Sequence, residues 1–239
     1  MAKYLVFVWQ PTDIVFASTC IVVATDLDLA FAFLQSSVHE TWARRPGLSK
    51  LENRPRYNPK KCYQTFPIPR KQGELLEEDK ELSNLANKYY IHRQSIAVNC
   101  SVGQTEIYNR FHNPTQADPD IQTLRDLHIQ MDTAVAAAYG WHDLPLNHDF
   151  HDTKQGLRFT ISEAARREVL DRLLALNHHR YAEEVAQGLH DKKKAKGKTS
   201  KGKSKKAKSK PASVADLSGK YITQGTLFGD DPATQGELF

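Results

Sequence analysis

Residues 191–210 carry 11 lysines against a single acid, Asp191, with only Ala, Gly, Ser and Thr between them. Such a stretch has too little apolar surface to offset the entropy of ordering its backbone, so everything from about residue 190 to residue 239 is predicted to be a disordered tail. The run also distorts the charge balance. The 239-residue chain has 33 basic and 28 acidic residues, a net charge of +5. Without residues 191–210 it has 22 basic against 27 acidic, or −5. A basic surface in the folded part must therefore be local. One stretch qualifies: between Trp42 and Arg70 stand Arg44, Arg45, Lys50, Arg54, Arg56, Lys60, Lys61 and Arg70 against Glu52 alone.

Before the tail, the chain is rich enough in apolar residues, 40% overall, for a sizeable core. Gln10-Pro11-Thr12-Asp13 interrupts the apolar N-terminal run, so nothing approaches the roughly 20 residues that span a bilayer. No signal-peptide order is visible in residues 1–24, and a cytoplasmic location is expected. Cys20, Cys62 and Cys100 are odd in number, with no CxxC pair, which predicts reduced, mostly buried thiols and no structural zinc site.

The expected fold class is α+β, mostly helical. Residues 4–9 and 13–24 are rich in Val, Ile, Phe and Tyr around a turn, predicting a β-hairpin or meander that completes a larger sheet. From an expected cap at Asp26, the apolar positions Leu27, Phe31, Leu34, Val38 and Trp42 recur at helical spacing. Pro46-Gly47 ends that helix, and the four prolines 55, 59, 67 and 69 predict an ordered surface loop. A helix is predicted over Glu74 to about Asn99, another from Asp118-Pro119 to Gly140, and a third from a Thr160/Glu163 capping box to about Ala186, after a strand at Leu157 to Ile161. The organisation expected is a recognition unit at 1–70, a helical domain at 71–189 and the tail at 190–239.

Guanidinium and ammonium groups interleaved with Trp42, Tyr57, Tyr63 and Phe66 suit phosphate contact and base stacking. The candidate DNA-contacting residues are Arg44, Arg45, Lys50, Arg54, Arg56, Tyr57, Lys60 and Lys61; a solvated loop without a ligand is the competing account. Asn109 and Arg110, with His112, either join the contact surface or pin a loop to the fold. His39 and Trp42 extend an apolar stripe and are expected in the core. His142, His148, His151, Asp149 and Asp152 form a dense cluster without clear ligand spacing, so loop capping is favoured over a metal. No catalytic residue is assigned, Cys62 having no histidine partner set by the sequence.

Residue order carries more than composition. The run Phe33-Leu34-Gln35-Ser36-Ser37-Val38-His39-Glu40-Thr41-Trp42-Ala43-Arg44, then Arg56-Tyr57-Asn58-Pro59, then Tyr63-Gln64-Thr65-Phe66-Pro67-Ile68-Pro69 resembles the target-recognition region of the type IIG-like adenine-N6 DNA methyltransferases of restriction and phage-defence systems. Tyr108-Asn109-Arg110-Phe111-His112-Asn113-Pro114, Ala138-Tyr139-Gly140-Trp141 and Leu174-Ala175-Leu176-Asn177-His178 resemble the C-terminal part of that family, so the likeness runs over roughly residues 3–186. It implies double-stranded DNA as ligand and a catalytic methyltransferase subunit or domain as partner. The family's glycine-rich S-adenosylmethionine loop and its Asp/Asn/Ser-Pro-Pro-aromatic motif are not found in this sequence, so the cofactor is expected in that partner and not in this chain.

The tail holds one repeat: Thr223-Gln224-Gly225-Thr226-Leu227-Phe228 returns 11 residues later as Thr234-Gln235-Gly236-Glu237-Leu238-Phe239. Gln224, Leu227, Phe228 and Gln235, Leu238, Phe239 resemble the Gln-x-x-Leu-Phe peptides that dock on the bacterial sliding clamp, though Gly225 and Gly236 stand where the stronger form has Leu. The alternative function is therefore an adaptor tethered to DNA by its lysines and docked on the clamp.

Overall fold

A computed structural model describes residues 4–18, 20–45, 57–71, 74–75, 79–189, 213–215 and 221–223. Among them are seven helices and three two-stranded antiparallel ribbons, so the mostly helical α+β class holds.

Among the described residues of the N-terminal segment the predicted hairpin is not formed. The described part of residues 4–24 is extended or turn backbone with a single isolated bridge residue, Val23, and no ladder. The polar groups of Phe7 are satisfied instead by side chains: its N–H donates to Gln35 Oε1 at 3.0 Å and its carbonyl accepts from Arg93 Nη2 at 2.6 Å. A buried backbone needs partners, and here two side chains take the place of a neighbouring strand. Ile14 and Val15, predicted in the sheet, are exposed.

The first apolar stripe is split in two, α1 (Asp28–Gln35) and α2 (Ser37–Ala43). Ser36 makes the break. At φ −68°, ψ 156° it leaves the helical region, and its Oγ accepts from His39 N at 3.2 Å as the cap of α2. The start is also shifted: Leu27, not Asp26, precedes α1 and makes no side-chain cap. The proline-rich stretch contains one helical turn, α3 (Pro59–Cys62), where Asn58 caps the N–H of Lys60 and Pro59 occupies the first helical position. Prolines at its start favour a helix that they would break inside.

A two-residue ribbon, β1 (Arg70–Lys71) with β2 (Glu74–Leu75), stands where the next helix was expected to begin. That helix, α4, runs over Lys80–Asn99 from an Asp79 cap. α5 (Gln104–Phe111) was not anticipated, so Asn109 and Arg110 sit in its last turn and not in a loop. α6 (Pro119–Ala138) starts from Asp118 and Pro119 as predicted. Gly140, at φ +77°, takes the left-handed position beyond its end, with Trp141 N donating to Ala136 O.

The strand predicted near Leu157 is β4 (Gly156–Thr160), paired with β3 (Asp149–Thr153) in the register Phe150 opposite Phe159. α7 (Glu163–Ala186) follows, capped by Ser162 through Ala165 N at 3.1 Å, two residues beyond the predicted Thr160. Within the tail, the structure describes one hairpin, β5 (Ser213–Ala215) with β6 (Tyr221–Thr223), which includes Val214, Tyr221, Ile222 and Thr223, residues of β-branched or aromatic type.

The principal core takes Phe31, Phe33, Val38 and Trp42 from α1 and α2, Leu82 and Tyr89 from α4, Phe111 from α5, Leu124 and Met131 from α6, and Val169 and Leu173 from α7. It thus draws on both sides of residue 70. Arg125, 3% exposed, closes the end of α5: its guanidinium donates to the carbonyls of Arg110, Phe111, Asn113 and Gln116, at and just beyond the end of the helix, where carbonyls have no partner within the helix itself.

Candidate nucleic-acid interface

Three of the four rings in the sequence expectation do not face solvent. Trp42, Tyr63 and Phe66 are all buried, so none presents a ring to a base. Tyr57 is half-buried; its ring meets Phe7 and His39, and its hydroxyl lies 3.0 Å from His39 Nε2. Burial raises the Tyr57 hydroxyl above its usual range. His39 itself is fully buried, which pushes its pKa down to about 3, and with Trp42 it belongs to the core as anticipated.

The basic half divides in two. Arg45 is committed to the fold: its guanidinium lies 3.6 Å from the centre of the Trp42 ring and donates to Trp42 O, Lys61 O and Thr65 Oγ1, tying the end of α2 to α3. Lys60 and Lys61 on α3 are exposed. Arg44 is half-buried, with Nε on Glu40 Oε1 at 2.6 Å, while Nη1 is shielded from solvent and has no hydrogen-bond partner among the described residues. Lys50, Arg54 and Arg56 lie outside the described residues.

Asn109 and Arg110 face Glu106 one turn earlier, at 3.3 Å and 3.2 Å, and Tyr4 Oη donates to Asn109 Oδ1 at 2.7 Å. Both therefore brace α5, and Asn109 also ties it to the N-terminal segment. Arg110 keeps 30% of its side chain exposed beside that role.

The histidine cluster is dispersed by the fold. His151 Nε2 pairs with Asn147 O, while His148 turns inward and meets Asp132 Oδ2 at 2.8 Å. Among the described residues no group of three or more His, Cys, Asp or Glu is placed to hold a metal ion. Asp132 is fully buried, also accepts from Ser37 N at 2.8 Å, and lies 3.4 Å from His128 Nε2. Burial works to raise its carboxyl, but His128, His148 and Ser37 outweigh that and hold it below the usual carboxylate range.

Ser37 Oγ is 3.1 Å from His128 Nε2, and the three residues look like a nucleophile, a base and its orienting acid. The geometry excludes that relay. Serine and aspartate address the same nitrogen, Nε2, whereas the relay needs one on each side of the ring, and Ser37 is 3% exposed. Asp132 acts as an anchor for the start of α2. The signal for it was present in the sequence: His128 and Asp132 fall four apart on α6 among apolar positions.

Of the three cysteines only Cys62 is buried, where burial raises its thiol; Cys20 and Cys100 are exposed, against the expectation of mostly buried thiols. No helix of the described residues is long and apolar enough to cross a membrane. The docking candidates Gln224, Leu227, Phe228, Gln235, Leu238 and Phe239 lie outside the described residues.

Residues 1–70 match the family model described as MmeI, target recognition domain, and over that segment the resemblance to a type IIG-like restriction–modification enzyme holds. No curated protein and no solved structure matches the chain.

Proposed function

From the match of residues 1–70 to a target recognition domain, we propose that this chain is a DNA-binding specificity portion of a type II restriction–modification enzyme. Its partner is a catalytic domain or subunit that binds S-adenosylmethionine and methylates adenine at N6. The family match carries the reading. Exposed Lys60 and Lys61 near the end of the matched segment support it, because ammonium groups on a short helix suit contact with backbone phosphates.

Duplex binding by the full chain, titrated against salt, tests the proposal. Changing Lys60 and Lys61 to Ala together is expected to weaken binding and to flatten the slope of log K against log salt by about 0.9 for each phosphate that is no longer neutralised. Unchanged affinity and slope would remove α3 from the interface. The adenine assignment is tested separately: labelled methyl transfer to adenine should require addition of the catalytic partner, and incorporation by the purified chain alone would refute the division of labour.

A second reading rests on the repeat of Thr-Gln-Gly-x-Leu-Phe after 11 residues, which would give two equivalent anchors for the sliding clamp. A peptide covering residues 220–239 should then bind purified clamp and release it when Leu227, Phe228, Leu238 and Phe239 become Ala. Equal binding by the altered peptide would discard the clamp as partner.

A further inference from the structure

The segment that matches the family model ends against the second half of α7. Asn177 Nδ2 donates to Thr65 O at 2.8 Å, which fixes α7 beside the chain that leaves α3. Around that bond Leu176, His179, Arg180 and Glu183 fall at helical spacing on a single face of α7. The face lines a cleft of about 230 Å³, whose other walls include Arg70 at the start of β1 and Tyr139 at the end of α6.

The charges in this cleft are unevenly paired. Glu183 lies 3.7 Å from Arg70 Nη1 and 3.5 Å from His179 Nδ1, so it is shared between those two, loosely, and is not paired with Arg180. Arg180 makes no hydrogen bond and no ion pair among the described residues, although it is half-buried. Burial, followed in effect by Arg70, pulls its guanidinium down to about 10, so it stays charged at neutral pH. On the α6 wall the Tyr139 hydroxyl is shielded from solvent and also lacks a hydrogen-bond partner among the described residues. Two arginines against one carboxylate leave a positive surplus, and the donors of Arg180 are unspent. A guanidinium partly withdrawn from water beside Leu176 and Tyr139 attracts an anion, and its planar fork matches the oxygens of a phosphate.

We propose that this cleft seats a phosphate of the DNA backbone, held by Arg180 with Arg70 at the rim. The inference rests on the DNA-binding reading and extends it. Arg70 is the last residue of the matched segment, whereas Arg180 lies well beyond it. The DNA track therefore runs from α3, where Lys60 and Lys61 are exposed, past Arg70 and onto α7. α7 then does more than pack against the recognition segment: it contributes a contact of its own.

Salt titration of duplex binding by the full chain tests the seat. Arg180→Gln is expected to weaken binding several-fold and to flatten the log K against log salt slope by about 0.9, with Arg180→Lys restoring most of that slope. Arg172, on the same helix, is spent on Asp143 and Glu168, so Arg172→Gln is expected to leave the slope unchanged. Equal flattening by the two Gln variants would reduce Arg180 to a share of the net charge and overturn the proposal, as would an Arg180→Gln slope equal to that of the unaltered chain. A merely structural arginine would show itself in Arg180→Lys binding as weakly as Arg180→Gln, and the seat would then be discarded. Failure of the parent reading looks different: the unaltered chain would bind no duplex. If inorganic phosphate raised the melting temperature of the unaltered chain and not of Arg180→Gln, while the duplex slopes stayed equal, the cleft would belong to a free anion and its assignment to DNA would fall.

Discussion

Asp132→Ala is expected to destabilise the chain by about 3–5 kcal/mol, the range for breaking a buried charged pair by removing one partner. The carboxylate is fully buried and joins α2, α6 and the segment before β3: it accepts from Ser37 N at the start of α2, meets His148 at 2.8 Å and lies near His128 on its own helix. Alanine would strand the Ser37 N–H and both imidazoles without water to replace the missing oxygen, and unsatisfied buried donors are what make such changes severe. Asp132→Asn keeps an oxygen that can serve Ser37 N and removes the charge, so its effect should be intermediate. Urea unfolding of the three proteins checks this, the alanine variant showing a lower midpoint with an unchanged m-value. An alanine variant whose stability stays within about 1 kcal/mol of the unaltered chain, well short of the range for a broken buried pair, would mean that Asp132 does not anchor α2.

Acid should unfold this protein earlier than carboxylate titration alone would. His39 and His112 have native pKa values pushed down to about 3, in both cases chiefly by burial, with Arg158 also lowering His112. In the unfolded chain each returns to about 6.5. The native pKa lies below the unfolded one, so the stability linked to each histidine is complete above about pH 6.5. It disappears as the pH falls through the window from about 6.5 to about 3, because only the unfolded state takes up the proton there. Each group contributes a slope of up to about 1.4 kcal/mol per pH unit, and the two together about 3. His128, also lowered by burial, acts in the same sense, and Asp132, held below its usual range, adds to the destabilisation at the acid end.

Against a typical total of about 5–15 kcal/mol, unfolding should set in near about pH 5. Urea midpoints at about pH 7.5 and about pH 5.5, on either side of the unfolded histidine pKa, would measure it, with the second clearly lower. A His39→Leu variant should show a clearly smaller pH dependence, since the leucine cannot be protonated. Equal midpoints at the two pH values would show that the histidines are not held neutral in the native state.

The features visible in the chain before folding are those that depend on neighbours a few residues away. Asp118-Pro119 starts α6 because a side-chain cap and a fixed φ act within one turn, and Gly140 ends it because the left-handed position there favours a residue without Cβ. The spacing of Phe31, Leu34, Val38 and Trp42 placed His39 and Trp42 in the core, and the ordered motifs of residues 33–69 carried a family likeness that the match over residues 1–70 bears out. The same short-range logic misplaced the N-terminal segment. Its residues have the composition of strands, but whether an extended backbone pairs with a strand is decided by what else offers a donor and an acceptor, here Gln35 and Arg93, the latter 86 positions from Phe7.

Charge behaves alike. Counting basic residues located the segment from Trp42 to Arg70, yet could not distinguish Arg45, whose donors are consumed by Trp42, Lys61 and Thr65, from Lys60 and Lys61, which remain exposed. Nor could it bring His148 to Asp132. Local propensity depends on the backbone within a turn or two, whereas the partner of a polar side chain depends on which surfaces the core brings together. That information resides in contacts spanning most of the chain.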